Sequence, residues 1–501
     1  MTVAAVSPRA EASPGGVLSG RLARAAAWIS RESLLLIVFT TIATIWSLDL
    51  TGAVRADTWL TLLGGREITA HGIPRHDELA IISEGREWVD QQWLAQLAFY
   101  ELHRLGGMAL LLRLNLVLFM LPLGLALWAG RRRGASPARV LLVAIPALLI
   151  TGTFVRAQVF SQLLFVPLLL LLLRESGRPS RRVFLAFPVL ALWANLHGAV
   201  VVGAALVAAL GGSELLREVR GSRRLARPVA LLVLPWLCVF ATPYGLDTLT
   251  YYRATMHNPV LARYVSEWMA PTLFSLWGLL FFPFAALAVF LVGRRPRMLN
   301  AFEVAALAIT LAGALLAVRS VIWFSYVCVV LVPALLEDVW PTRAPASLPR
   351  REHVFRVAAT AASLVLFLVV FAKPITTMKK QWPDSATRKL AQLLAADPNA
   401  KVIATEEYGD WLLYQVPQLR GRIAFDGRWE ILTQAQLKDV MRYLIDPNPW
   451  SERLDRGYRL IVLDPKQHRT LVARLAKRPG MRRVFLNDRV VIFERPKTPS
   501  S

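Results

Sequence analysis

Cysteine is nearly absent: the 501 residues hold two, Cys238 and Cys328, both inside apolar runs. They exclude a disulfide framework for exposed regions and offer no metal-ligand spacing, so they read as packed core thiols. Charge is scarce as well, at 18% of residues, and with a hydrophobic share of 55% that excludes a disordered chain. Acidic residues are the rarer sign: 34 Asp+Glu against 58 Lys+Arg leave a formal net charge of +24. Lysine is missing until Lys373, and all nine lysines lie at or beyond it. No internal repeat is present, and low complexity is confined to 1–20.

What the chain has in abundance is long apolar runs, near 34–52, 108–130, 140–155, 158–173, 183–195, 198–216, 229–242, 276–292, 299–318, 321–336 and 354–372. These predict a polytopic α-helical membrane protein with about eleven spans. The stretch 183–216 is too long for one crossing and reads as two short spans folded at Asn195-Leu196-His197-Gly198. About 32 residues precede the first run and no small-x-small site follows it cleanly, so a cleaved signal is not expected.

A basic excess raises nucleic acid or an anionic membrane surface as partners, so position decides. Counted by alternate connections, 24 arginines fall on one side: Arg9 to Arg31, Arg131 to Arg139, Arg174 to Arg182, Arg217 to Arg227, Arg294 to Arg297 and Arg343 to Arg356. The short connections on the other side hold four, Arg156, Arg253, Arg263 and Arg319. The positive-inside rule then makes 1–33 a basic cytoplasmic N-terminus and places the region after eleven crossings outside the cytoplasm. The arginines are topology signals, and no nucleic-acid partner is expected.

Composition shifts after the last span, so 34–372 reads as the membrane part and 373–501 as a separate extracytoplasmic α/β domain. Helices are predicted at 385–396, 433–445 and 466–477. Strands are predicted at 401–405, 423–427, 459–464, 482–487 and 489–495. The first outer loop, 53–107, is polar yet carries Trp59, Trp88, Trp93, Phe99 and Tyr100. Stretches 58–70 and 88–105 have the helical spacing of interfacial helices, and a loop of this length suggests a function.

The predicted orientation gathers polar residues on one face: Asp57; Arg156 and Gln158; Asn195 and His197; Tyr244, Glu267 and Trp268; and Arg319. Ionisable groups at membrane depth usually pair or mark a pathway. Each has a bland alternative, an arginine snorkelling to headgroups or His197 capping a tight hairpin beside Gly198. Together, Arg156, Arg319 and His197 as positive charges near the carboxylates Asp57 and Glu267 suit an anionic phosphate ligand plus a base or metal site.

Several stretches carry a resemblance. They are Asp57-Thr58-Trp59-Leu60, with Gly65, Gly72-Ile73-Pro74, Asp77, Trp88 and Trp93-Leu94 after it; Arg156-Ala157-Gln158-Val159-Phe160; and Trp193-Ala194-Asn195-Leu196-His197-Gly198. Thr242-Pro243-Tyr244-Gly245, Glu267-Trp268, Tyr408-Gly409-Asp410-Trp411-Leu412 and Asp426-Gly427-Arg428 complete the set. The chain resembles the GT-C superfamily of integral membrane glycosyltransferases, and within it a bacterial glycosyltransferase-like branch.

The resemblance implies a GT-C-like fold in a bacterial inner membrane. It implies transfer of a sugar from a polyprenyl-phosphate-linked donor to a lipid or glycan acceptor, in envelope glycan synthesis. It makes Asp57 the catalytic base, with Asp77 and Asp90 the next acidic candidates. Arg156, His197 and Arg319 become candidate donor-phosphate ligands, and Gln158, Asn195, Tyr244 and Trp268 candidate substrate contacts. Glu267 and Asp77 become candidate holders of a divalent cation, Mg or Mn, since hard cations favour carboxylate oxygens. Tyr408, Trp411 and Trp429 offer aromatic faces for sugar rings, and Asp426 a turn-forming side chain.

The paired acidic dipeptide of several GT-C branches is absent at Asp57-Thr58. The Trp-Trp-Asp motif of oligosaccharyltransferases is missing too, so peptide-sequon recognition is not implied. Two rivals come from other classes: a non-catalytic scaffold of the same fold and a polysaccharide or lipid transporter component. An enzyme should place Asp57, His197, Glu267 and Arg319 around one outward-facing cavity.

Overall fold

The computed structural model describes residues 14–149, 154–219, 225–256, 258–342, 348–375, 381–445 and 457–495. Of the topology arginines, Arg9, Arg220, Arg223, Arg224 and Arg343 lie outside them. The membrane part runs α1 Pro14–Leu48, α2 Ala56–His71, α3 Trp93–Arg132, α4 Pro137–Leu149, α5 Gln158–Gly177, α6 Ala186–Leu196 and α7 Val200–Val219. It continues with α8 Ala226–Cys238, α9 Thr248–Met256, α10 Pro259–Tyr264, α11 Leu276–Arg294, α12 Ala301–Leu316, α13 Val321–Val339 and α14 Arg350–Ala372.

Each apolar run forms one helix: α1, α3 to α8, and α11 to α14. Among the described residues, seven of them (α1, α3, α5, α7, α11, α13 and α14) are long and apolar enough to cross a membrane. They account for seven of the eleven expected crossings, and the other four runs form shorter helices among the described residues. The 13-residue helix α8 rises about 20 Å, short of a hydrocarbon core of about 30 Å. Helix α12 has 16 residues and α6 only 11. The hairpin at 183–216 does split, into α6 and α7, at His197–Ala199.

Helix α13 lies at the centre, with Val321 to Pro333 buried without a break. Helix α14 is equally apolar but exposed along its length, with only Val370 buried, and it packs on α1 at the periphery. An all-round apolar surface suits both positions, one buried in protein and one facing lipid. Both cysteines are free thiols, Cys328 buried and Cys238 half-buried.

The connections sort onto two faces. On one, ion pairs join neighbouring helices: Arg131 to Glu32 at 2.8 Å, Arg133 to Glu303 at 2.6 Å and Arg227 to Glu214 at 2.9 Å. On the other, segments distant in sequence are stitched together. Val155 N–H donates to Ala53 O at 3.1 Å, Gln91 Nε2 to Ala194 O at 3.0 Å, and Arg319 N–H to Glu267 O at 3.0 Å.

Helix α2 lies against the first half of α3, and glycine makes this approach feasible. A Cβ at Gly65 would sit 2.4 Å from both Gln96 O and Tyr100 Cβ. Helix α3 itself joins two segments the sequence treats separately, and Gly106 and Gly107 (φ 64°) break it between them. Only glycine takes up the second conformation at little cost.

The C-terminal domain contains α15 Asp384–Ala396, α16 Glu406–Gln415, α17 Gln434–Ile445 and α18 Arg469–Lys477. Its four-stranded sheet has the order β1-β2-β4-β3, with β1 Val402–Ala404 parallel to β2 Leu460–Leu463, while β4 Val491–Glu494 is antiparallel to β2 and to β3 Arg482–Leu486. The strand expected at 423–427 does not form. Ile423 instead makes single parallel bridges to Val402 and to Ala80, so its backbone is shared between the domain and the first long loop. Helix α16 rests on α2, where Arg66 donates to Tyr414 O at 2.6 Å and Leu413 O at 3.2 Å. A cation on the last carbonyls of a helix complements their partial charge.

Candidate functional site

Asp57 stands in the first turn of α2, Arg156 just before α5, His197 at the end of α6, Glu267 in the connection after α10, and Arg319 in the 3-10 turn before α13. These points lie on the stitched face, and all five side chains line one cavity of about 420 Å³. The lining also includes Gln158 and Trp268 and, from the C-terminal domain, Trp429 and Glu430.

At its floor Arg156 bridges two carboxylates. Its Nε lies 2.5 Å from Asp57 Oδ2, and it also pairs with Glu267. The guanidinium of Arg319 stacks on the Trp268 ring, 4.2 Å from the centroid, and among the described residues no carboxylate pairs with it. A planar cation held by its face keeps its edge donors available for an anion.

His197 does not act as the positive charge the sequence suggested. Burial, with Arg319 and Arg156 adding to it, pushes its imidazole down to about 3, so it is neutral at ordinary pH. Its Nδ1 accepts from Ala199 N–H at 3.2 Å, which leaves the proton on Nε2 as a donor. Two apolar recesses adjoin the cavity and share Gln158 and Arg319 with it. One, of about 370 Å³, is walled by Val202, Tyr252, Leu316 and Trp323; the other, of about 260 Å³, by Phe119, Phe154, Trp277 and Ile322.

No family model matches the chain, and no curated protein matches it. Among solved structures, ArnT from Cupriavidus metallidurans, bound to undecaprenyl phosphate, aligns over 92% of this chain and 97% of its own, with a TM-score of 0.50 and 16% identity. The two chains share their overall fold. The archaeal oligosaccharyltransferase AglB from Archaeoglobus fulgidus, in complex with an inhibitory peptide and a dolichol-phosphate, matches over 86% of this chain and 69% of its own, at 13% identity and a TM-score of 0.48.

Three residues expected at the site lie elsewhere in the fold. Asp77 is fully buried, pairs with Arg428 at 2.6 Å and accepts from Ser83 Oγ at 2.6 Å and Leu79 N–H at 2.9 Å. It fastens the first loop to the C-terminal domain and is no second carboxylate of the cavity. Asn195 is a brace, accepting from Trp93 Nε1 at 2.9 Å and donating to Ala191 O and Ala241 O. The Tyr244 hydroxyl donates to Pro74 O at 3.0 Å, and its ring faces Arg75 at 4.9 Å. Of the three aromatics offered for sugar rings, Tyr408 and Trp411 are buried in the C-terminal domain and only Trp429 lines the cavity. Asp426 does form the turn, accepting from Arg428 N–H at 2.9 Å.

The arrangement does not fit a divalent ion. Among the described residues no group of three or more His, Cys, Asp or Glu side chains is placed to hold one, and Asp57 and Glu267 are engaged by Arg156. Sequence reasoning missed Glu430 and Tyr251, which also line the cavity. Glu430 follows the Asp-Gly-Arg turn by two residues, and only that turn hinted at it.

Proposed function

We propose that this chain is a membrane glycosyltransferase that moves a sugar from a polyprenyl-phosphate-linked donor to an acceptor hydroxyl, on a lipid or a glycan, in envelope glycan synthesis. The observation that carries the reading is the meeting of Asp57, Arg156, Arg319 and a neutral His197 at a cavity that opens into apolar recesses. A lipid phosphate calls for that combination, with cations and donors for its headgroup and apolar walls for its chain. The arginine asymmetry supports a bacterial inner-membrane protein with a cytoplasmic N-terminus and the cavity on the extracytoplasmic side.

In the transfer, the acceptor oxygen bonds to the anomeric carbon as the bond from that carbon to the phosphate oxygen breaks. The bonding pair leaves with the phosphate. Arg319, free of a carboxylate partner among the described residues, takes the developing charge. His197 Nε2–H donates to the same group, and Gln158 and Trp268 contact the sugar phosphate. Asp57 accepts the proton of the acceptor hydroxyl, a step worth about 10²–10⁴-fold. Arg156 holds Asp57 and Glu267 in place from the same cavity wall. No step is routed through a metal ion.

Equilibrium binding of labelled undecaprenyl phosphate to the full-length protein in nanodiscs tests the site. Wild-type protein should bind saturably, Arg319→Ala about tenfold or more weakly, and Arg319→Lys in between, because the ammonium keeps the charge but not the planar donor edge. Unchanged binding by Arg319→Ala would place the phosphate elsewhere.

A further inference from the structure

Asp90, Trp429 and Glu430 line the cavity but have no part in the mechanism above. Asp90, in the first loop, is 3% exposed. Its Oδ1 accepts from Gln96 Nε2 at 3.0 Å and from Gln92 N–H at 3.4 Å, while its Oδ2 has no hydrogen-bond partner among the described residues. A buried carboxylate oxygen left without a donor is costly unless a proton or a ligand satisfies it.

Trp429 and Glu430 are presented by a 3-10 turn of the C-terminal domain. Contacts with the first loop fix that turn: Arg428 pairs with Asp77, Arg86 donates to Ile431 O at 3.2 Å, and Gln436 Nε2 donates to Ile82 O at 2.7 Å. The loop that carries Asp90 thus holds the segment that carries Glu430.

Both carboxyls line the same cavity, and both are shifted upward. Burial, with the charge of Glu430 adding to it, pushes Asp90 up to about 7. Burial likewise pushes Glu430 up to about 7, with Asp426 and Asp57 adding and Arg428 opposing. Tyr244 and Tyr251 are the other titratable groups facing Asp90. Arg428 donates to Asp426 and Asp77 through Nε and Nη2, and its charge opposes both shifts without cancelling them, so near neutral pH the two carboxyls carry less than two negative charges.

Resting on the glycosyltransferase reading, the geometry points to Asp90 and Glu430 as the recognition pair for adjacent hydroxyls of an uncharged sugar. One carboxyl donates through its proton and the other accepts, and Trp429 offers an apolar face to the ring. That sugar is carried by the donor lipid or belongs to a glycan acceptor.

The test uses full-length protein in nanodiscs and four kinds of probe. These are undecaprenyl phosphate; the same lipid carrying mannose, glucose or galactose; the lipid carrying glucosamine; and the free neutral sugars. At about pH 6, at least one neutral sugar should bind, on the lipid above the bare phosphate if the pair reads the donor, or free if it reads the acceptor. Glu430→Gln and Asp90→Asn should each weaken that sugar-dependent binding about tenfold and leave bare undecaprenyl phosphate unchanged. Raising the pH to about 9 should weaken it too, as the carboxyl proton leaves.

Sugar-dependent binding that survives in Glu430→Gln, whose half-buried side chain lines the cavity, overturns the pairing. So does a complete lack of sugar-dependent binding, or tighter binding of the glucosamine lipid than of the neutral ones. Failure of bare undecaprenyl phosphate to bind the wild-type protein sinks the transferase reading itself, a different result.

Discussion

At the scale of single residues, the site is assembled from side chains far apart in sequence, and charge decides what each can do. Asp57, Arg156 and Glu267 come from three separate connections and meet in one ion-paired group. The sequence made them legible one at a time, because a polar residue at the end of an apolar run stands out. Their partners were not legible: nothing in a single sequence says that Arg156 spans both carboxylates, or that burial keeps His197 neutral. Burial also has a consequence for stability. Asp90 and Glu430 hold protons up to about pH 7 in the folded chain, whereas ordinary unfolded carboxyls release theirs near about pH 4. Between those values the folded state binds more protons, so stability should fall as pH rises through that window. Asp90→Asn should flatten the slope, as read by thermal melts of the detergent-solubilised protein at a series of pH values. A slope unchanged in the variant would mean that Asp90 ionises normally.

At the scale of elements, hydropathy located all eleven apolar helices but not their lengths. Helices α6, α8 and α12 are too short to span alone, and run length is blurred by flanking apolar residues that fall in turns. In the C-terminal domain the strands rich in Val, Ile and Leu at 402–404, 460–463 and 491–494 were legible from composition. Ile423 was misread because an apolar run flanked by turns looks the same whether it forms a ladder or one bridge. Helix α16 was not anticipated, although its Tyr408-Gly409-Asp410-Trp411-Leu412 stretch stood out. The close approach of α2 to α3 supplies a prediction. Gly65→Val should force the helices apart at Gln96 and Tyr100, costing about 1–3 kcal/mol. Because α16 rests on α2, the loss should show both in the melting temperature and as faster hydrogen exchange in 406–415. A variant that melts and exchanges like the wild type would show that the helices yield without cost.

At the scale of the whole molecule, the C-terminal domain completes the cavity rather than standing apart from it. Its attachment centres on Arg428, 4% exposed, which pairs with Asp77 and Asp426 and stacks on Trp88 at 4.2 Å. Arg428→Ala would strand two buried carboxylates and should cost about 3–5 kcal/mol. Asp77→Asn, Asp426→Asn and Arg428→Met combined should recover much of it, since neutral groups leave no charge uncompensated. Hydrogen exchange across 75–90 and 421–432 reads both variants, and equal protection in Arg428→Ala and wild type would remove this cluster as the fastening point.

The central claim is that the cavity transfers sugar with Asp57 as base. Its most direct measurement is transfer from a labelled lipid-linked sugar donor in membranes containing equal amounts of wild-type protein or Asp57→Asn. Wild-type protein should transfer the sugar, the variant should lose about a hundredfold or more, and both should bind undecaprenyl phosphate equally well. Transfer by Asp57→Asn at the wild-type rate would contradict the claim.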